Sequence, residues 1–341
     1  MNFNILSLKI AVFLILVQID ILKAQDPVFS QYYSSPLQIN PAFTGLLDGV
    51  RLGANYRNQW PFIDQSFKSY VTYNLFYDQF FTSIKSGFGM EITSDQAGDG
   101  FMRNTKISGF YGYKIPINRK GHVIKGGLEL AYVNMSIGWD KFIFRDQIDP
   151  VNGYQTGGGT IISKDIRPQD IKPNYIDIGM GILYYSPLYY VGASIKHMNS
   201  PDIGILVNAS SGGTSLPPRI NIHSGFEIPL YNDSRKKRHI LSPSMAIITQ
   251  SSFFQLNVGT QYLFNNIYTG LFYRHARLNP DAAILILGFK KDNYKIGYSF
   301  DFTVSSLTIS QGGSHELSFL YQIPGKAGKS SNVSDCFEAF R

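Results

Sequence analysis

From Gly49 onward the sequence runs in segments of about ten residues that alternate in polarity and are separated by turn residues. Successive side chains of a strand point to opposite faces, so each segment has one apolar and one polar face. In residues 67–78, Val71, Tyr73, Leu75 and Tyr77 oppose Thr72, Asn74 and Asp78, with exceptions such as Phe76. In residues 175–185, Ile176, Ile178, Met180 and Ile182 oppose Asp177, Gly179 and Gly181. In residues 294–302, Tyr294, Ile296, Tyr298, Phe300 and Phe302 oppose Lys295, Gly297, Ser299 and Asp301. A soluble sandwich alternates too, but it turns a charged face to water. Here the polar face is mostly Gly, Ser, Thr and Asn, which suits a lumen, and the apolar face gathers aromatics near the strand ends, as lipid-facing strands do.

The expected fold is therefore all-β: a transmembrane antiparallel β-barrel of about 14 strands, an even number as in bacterial single-chain barrels. The strands fall near residues 50–58, 67–79, 86–95, 105–115, 122–135, 174–185, 189–198, 219–229, 240–250, 252–263, 267–275, 282–290, 294–302 and 313–321. Composition agrees. Only 16% of the 341 residues are charged and 14% are aromatic, against about 25% charged in ordinary soluble domains. Such a chain is not disordered, and it lacks the long 3.6-period segments of an α/β enzyme. Past the N-terminus no apolar run reaches the roughly 18–20 residues of a membrane helix. The net charge of +7 is scattered, mostly beside turns, and is not a nucleic-acid footprint.

The N-terminus reads as a secretory signal. Residues 10–17, IAVFLILV, form a short apolar stretch after Lys9, and Ala24 precedes the polar Gln25-Asp26-Pro27. Cleavage is expected near Ala24. This divides the chain into a signal (1–24), a periplasmic or lumen-plugging segment (25–48), the barrel (49–321) and a C-terminal tail (322–341).

Connection lengths set the expected orientation, because outer-membrane barrels have short periplasmic turns and longer external loops. With the N-terminus periplasmic, the two longest connections, residues 136–173 and 199–218, both fall outside. The connection at 231–239 is long for a periplasmic turn, and the external hairpin at Ser251 is very tight. Arg235, Lys236, Lys237 and Arg238 make a basic periplasmic turn. That turn reads either as ordinary turn chemistry or as a rim for anionic head groups or an acidic partner.

Between signal and first strand lies QDPVFSQYYSSPLQINPAFTG, residues 25–45, too irregular for a membrane strand and expected to be extended and hydrogen-bonded. Its Gln25, Pro27, Ser30, Gln31, Tyr32, Asn40, Pro41, Ala42 and Gly45, followed by Tyr56, Arg57, Gln59 and Trp60, resemble the opening of the PorP/SprF family of outer-membrane proteins. KFIFRDQIDP, residues 141–150, is similar to that family's long-loop segment. The resemblance implies a non-enzymatic outer-membrane barrel of the type IX secretion system of Bacteroidota. Its implied partners are secreted surface cargo, such as the large adhesins used in adhesion and gliding motility, other secretion components and outer-membrane lipid. It brings no catalytic residues. The alternative from another class is a general porin or solute channel. The tail of about twenty residues past the last strand departs from the simple barrel pattern.

No other constellation points to chemistry. The six histidines stand singly, without HxH, HExxH or Cys/His pairing, so neither metal nor cofactor is expected. Gly157-Gly158-Gly159-Thr160 lacks the lysine of a phosphate loop. Cys336 is alone and reads as a free thiol. Glu91, Glu129, Asp177, Glu227, Asp301 and Glu316 either line a pore with Lys106, Lys125 and Lys196 or neutralise them in a filled barrel. Trp139, Phe142, Phe144 and Arg145 in the long loop form either a partner-binding surface or a plug in the barrel mouth.

Overall fold

The computed structural model describes residues 26–62, 70–98, 101–139, 142–148, 174–203, 215–232, 238–277, 279–304, 312–325 and 340. The signal segment, Gly157–Thr160, Arg235, Lys236, Lys237 and Cys336 lie outside the described residues. Among the described residues, fourteen antiparallel strands close into one barrel. They are β1 (Gly49–Gln59), β2 (Tyr70–Phe81), β3 (Ser86–Ala97), β4 (Met102–Pro116), β5 (Val123–Ile137), β6 (Asn174–Tyr185) and β7 (Tyr189–Lys196). Then come β8, in two pieces (Arg219–Phe226 and Ile228–Asn232), β9 (Arg238–Gln250), β10 (Phe253–Phe264), β11 (Ile267–Ala276), β12 (Asn279–Lys291), β13 (Tyr294–Thr303) and β14 (Ser314–Pro324). Each strand pairs with its sequence neighbours, and β1 pairs with β14 from Gly49↔Pro324 to Gln59↔Ser314, so the sheet has no free edge.

The break in β8 is a departure from the continuous strand expected at 219–229. Pro229 has no N–H to give to a ladder, and the register against β9 shifts between His239 and Ile240. Glu227 sits half-buried at the break. Beyond the break the strand continues to Asn232, and the next begins at Arg238.

Side chains sort as the alternation predicts. Outward positions carry Leu75, Met90, Ile92, Leu128, Leu130, Ile178, Ile182, Leu271 and Leu287, all exposed, with Leu271 reaching 62%. An apolar exterior on a closed barrel is a lipid-facing surface. Aromatics ring the short-turn end: Phe81 meets Phe88 at 5.8 Å, Phe88 meets Tyr111 at 5.4 Å, and Tyr294 meets Tyr321 at 4.7 Å. The two long connections, 138–173 and 197–218, share the opposite end.

Fourteen strands enclose more width than wall side chains alone fill. The remaining space is taken by residues 27–46, which run inside the barrel and are almost entirely buried. This segment is not extended as expected. It folds into three short turns, Tyr32–Ser34, Pro36–Ile39 and Pro41–Phe43. Pro36 and Pro41 each start a turn, where a missing N–H is harmless. The Asn40 side chain caps the last turn by accepting from Ala42 N at 2.8 Å.

Candidate functional site: the occupied lumen

The segment enters at the short-turn end through Asp48 and climbs to Asp26 near the long-loop end. Its polar anchors come from strands on all sides of the barrel, so it lies along the lumen and not against one wall. At the long-loop end, Asp26 Oδ2 sits 2.8 Å from His197 Nε2 and 3.1 Å from Arg219 Nη1. His197 Nδ1 faces Asp177 Oδ1 at 3.0 Å. Both ring nitrogens meet carboxylate acceptors, which calls for the doubly protonated ring.

Below this, Glu316 accepts from the backbone N–H of Ser30 (2.8 Å) and of Gln31 (2.9 Å). Gln31 donates through Nε2 to Ser299 Oγ at 3.2 Å and accepts from Ser318 Oγ at 2.7 Å. Arg57 bridges Asp301 (3.0 Å) and Glu316 (3.1 Å), and Arg274 reaches Asp301 at 2.9 Å. Tyr32 donates to Ser244 Oγ at 2.6 Å, and Lys295 Nζ lies 5.1 Å from the centre of the Tyr33 ring. On the other side of the lumen Lys106 holds Glu129 and Asp177, and Lys196 holds Glu129, each at 2.9 Å. The interior carboxylates and lysines that the sequence left open between pore lining and mutual neutralisation are thus largely paired.

The lower half of the segment is gripped through its backbone. Asn40 Nδ2 donates to Ile182 O at 3.0 Å and Ala193 O at 3.1 Å and faces His223 Nε2 at 3.0 Å. Asn221 Nδ2 donates to Ile39 O at 3.1 Å. Lys125 Nζ donates to Thr44 O at 2.7 Å and Gly45 O at 2.8 Å. Gly45 N donates to Asp78 Oδ2 at 2.6 Å, and Asp78 is paired with Arg51 at 2.7 Å. Close approach needs glycine in the wall. A Cβ at Gly127 would overlap Ala42 N and the Pro41 carbonyl, and one at Gly181 would overlap the Asn40 side chain. The glycines of the polar faces form the groove in which residues 39–45 lie.

Among the described residues, sizeable cavities flank the segment at both ends. One of about 500 Å³ lies toward the long loops, between Asp26, Trp60, Tyr70 and Arg103. The other, about 440 Å³, lies at the short-turn end beside Leu46, Asp48 and Arg119.

A family model described as type IX secretion system membrane protein PorP/SprF matches residues 21–321. The chain belongs to the PorP/SprF family. It is an outer-membrane β-barrel of the type IX secretion system. No curated protein matches it. Among solved structures it is similar to a CymD monoaromatic hydrocarbon channel, at 12% identity over 89% of this chain and 95% of that one, TM-score 0.46. It is also similar to a triple mutant of the Rhodopseudomonas blastica porin, at 5% identity over 80% of this chain and 99% of that one, TM-score 0.34.

In this PorP/SprF chain, Gln31, Tyr32, Asn40, Pro41 and Ala42 of the N-terminal motif are all inside the lumen, with Gln31, Asn40 and Ala42 fully buried. Arg57, from the second motif block, joins the same interior network. Trp139, Phe142 and Phe144 sit together on the loop after β5, with ring centres 5.2–6.3 Å apart. Phe101 from the neighbouring hairpin packs on Phe142 at 5.1 Å. Phe142 and Ile143 are exposed. Arg145, also exposed, starts a short turn that Phe144 N closes by donating to Gln147 Oε1 at 2.8 Å. Arg238 opens β9.

The Asp26 anchor has a defined pH window. Burial alone would raise the Asp26 pKa, but His197 and Arg219 outweigh it and hold it well below the usual carboxylate value. Burial alone would lower the His197 pKa, but Asp26 and Asp177 together raise it. The histidine contribution is complete below about pH 6.5 and is lost as pH rises through the elevated value. The Asp26 contribution is complete above about pH 4 and is lost as pH falls through the depressed value. A spin label beside Asp26 should therefore be most immobile in mildly acidic buffer and gain mobility on going alkaline. His197→Gln should abolish the alkaline change, and an unaltered profile in that variant would contradict the assignment.

Proposed function

We propose that this barrel works as a closed docking and anchoring component of type IX secretion, with its long-loop end outside the cell and its short turns in the periplasm. Secreted surface cargo, such as a large adhesin, binds the aromatic cluster of Trp139, Phe142 and Phe144 with Arg145 at its edge. The carrying observation is the lumen itself: residues 27–46 occupy it through hydrogen bonds to strands all around the wall, an arrangement suited to a fixed scaffold rather than to free diffusion. Interface cores favour aromatic and arginine side chains surrounded by polar groups, and the exposed cluster has that composition. The basic turn at Arg235, Lys236, Lys237 and Arg238 then faces the periplasm, where it suits anionic lipid or an acidic secretion component. In this reading the signal is removed near Ala24.

Replacing Trp139, Phe142 and Phe144 together with alanine should release the anchored surface protein into the medium while the barrel still shows heat-modifiable gel mobility. Each buried aromatic at an interface core contributes about 2 kcal/mol, so losing one weakens binding roughly thirtyfold. Cargo that stays attached to the triple variant would reject the cluster as the docking surface. Cargo still anchored with raised permeability in the same variant would make these aromatics a plug in the barrel mouth rather than the docking surface.

A further inference from the structure

Phe340 is the penultimate residue of the chain, at the end of a tail the barrel does not need for closure, yet it is 2% exposed. Its ring stacks on Phe43 at 4.8 Å with an interplanar angle of 28° and meets Tyr190 edge-on at 5.4 Å. Phe43 lies 5.0 Å from the His223 ring and 6.3 Å from Tyr190. Phe43 belongs to the Pro41–Phe43 turn of the lumenal segment, while Tyr190 and His223 belong to β7 and β8. One aromatic socket is thus shared by the wall and the segment, and Phe340 fills it.

Strand β14 leaves the wall at Pro324, at the short-turn end, where Gly325 N donates to Asp48 O. After Gly325 the sequence KAGKSSNVSDCFEAF is mostly small and polar apart from Val333 and two aromatics, Phe337 and Phe340, and the Phe340 ring is buried. We propose that Phe43, Tyr190 and His223 form a socket for an aromatic side chain, filled in cis by Phe340, and that this contact locks the lumenal segment in place from the short-turn side. The lock is independent of what the long-loop end binds.

The test uses the full mature chain. With p-benzoylphenylalanine in place of Phe340, irradiation should give an intrachain cross-link to the peptides carrying Phe43 or Tyr190. In planar bilayers, Phe340→Ala should raise the frequency of transient openings roughly tenfold, equivalent to about 1.4 kcal/mol of lost contact. Phe340→Trp should keep the parental frequency, since a larger aromatic still stacks, and heat-modifiable mobility reports that each variant barrel is folded. Cross-links to other sites, or none, would overturn the socket. Openings unchanged in Phe340→Ala would overturn the lock.

Discussion

Gly127→Leu should open the lumen without dismantling the wall. Position 127 faces inward on β5, and even a Cβ there collides with the backbone of Pro41 and Ala42. Backbone cannot move aside as the tip of a flexible side chain can, so residues 39–42 must leave their groove. Asn40 then loses its bonds to Ile182 O and Ala193 O, and Ile39 O loses the Asn221 donor. Stranding such groups costs about 1–3 kcal/mol each. A net loss of about 3 kcal/mol raises the undocked fraction roughly a hundredfold. The outer face of β5, with Leu128 and Leu130, is unchanged, so the barrel should still insert. Uptake of a small hydrophilic antibiotic by cells carrying this variant should rise markedly, and Asn40→Ala should give a smaller rise in the same direction. Unchanged uptake in both variants, with the barrel present and folded, would show that the segment does not close the lumen.

The second large effect is expected at Arg57. Its guanidinium, 4% exposed as a residue, bridges Asp301 and Glu316, which themselves hold Ser30 and Gln31. Removing one member of a buried ion network leaves uncompensated charge and costs about 3–5 kcal/mol. Arg57→Met keeps most of the side-chain length and removes the charge. It should lower the temperature of the heat-modifiable transition and expose the segment to proteolysis near Ser30. Adding Glu316→Gln should restore part of the loss, because Asp301 keeps Arg274 whereas Glu316 loses its paired cation, and the stranded carboxylate is then neutral. The sign of that coupling separates an electrostatic role from simple packing. Independent, additive losses from the two changes would contradict the network.

Much of this architecture is legible in the chain. The strand pattern is local, with a period of two, so β2, β6 and β13 declare both their position and their two faces. The placement of long and short connections is equally visible. The break at Glu227 interrupts the strand that the alternation predicts, and Pro229 is its signal in the sequence. What local pattern cannot carry is the fate of residues 27–46. Their partners are far away in sequence: Ser30 and Gln31 bind Glu316, and Asn40 binds β6 and β7. The available clue was compositional. Gly87, Gly127 and Gly181 stand on polar faces where larger polar side chains would fill an ordinary lumen, and a wall stripped of side chains leaves room for backbone. The Trp139–Phe142–Phe144 cluster shows in sequence because its members are adjacent, but its support from Phe101 does not. Phe340 carried no periodic signal at all.

Closure of the lumen by the chain's own N-terminal segment is tested most directly by single-channel recording of the purified mature protein in planar bilayers. The expected trace is a silent baseline broken only by brief openings, with steady conductance appearing in Gly127→Leu. A stable, ohmic conductance from the unmodified barrel, present from the moment of insertion, would contradict the account and make the molecule a diffusion channel.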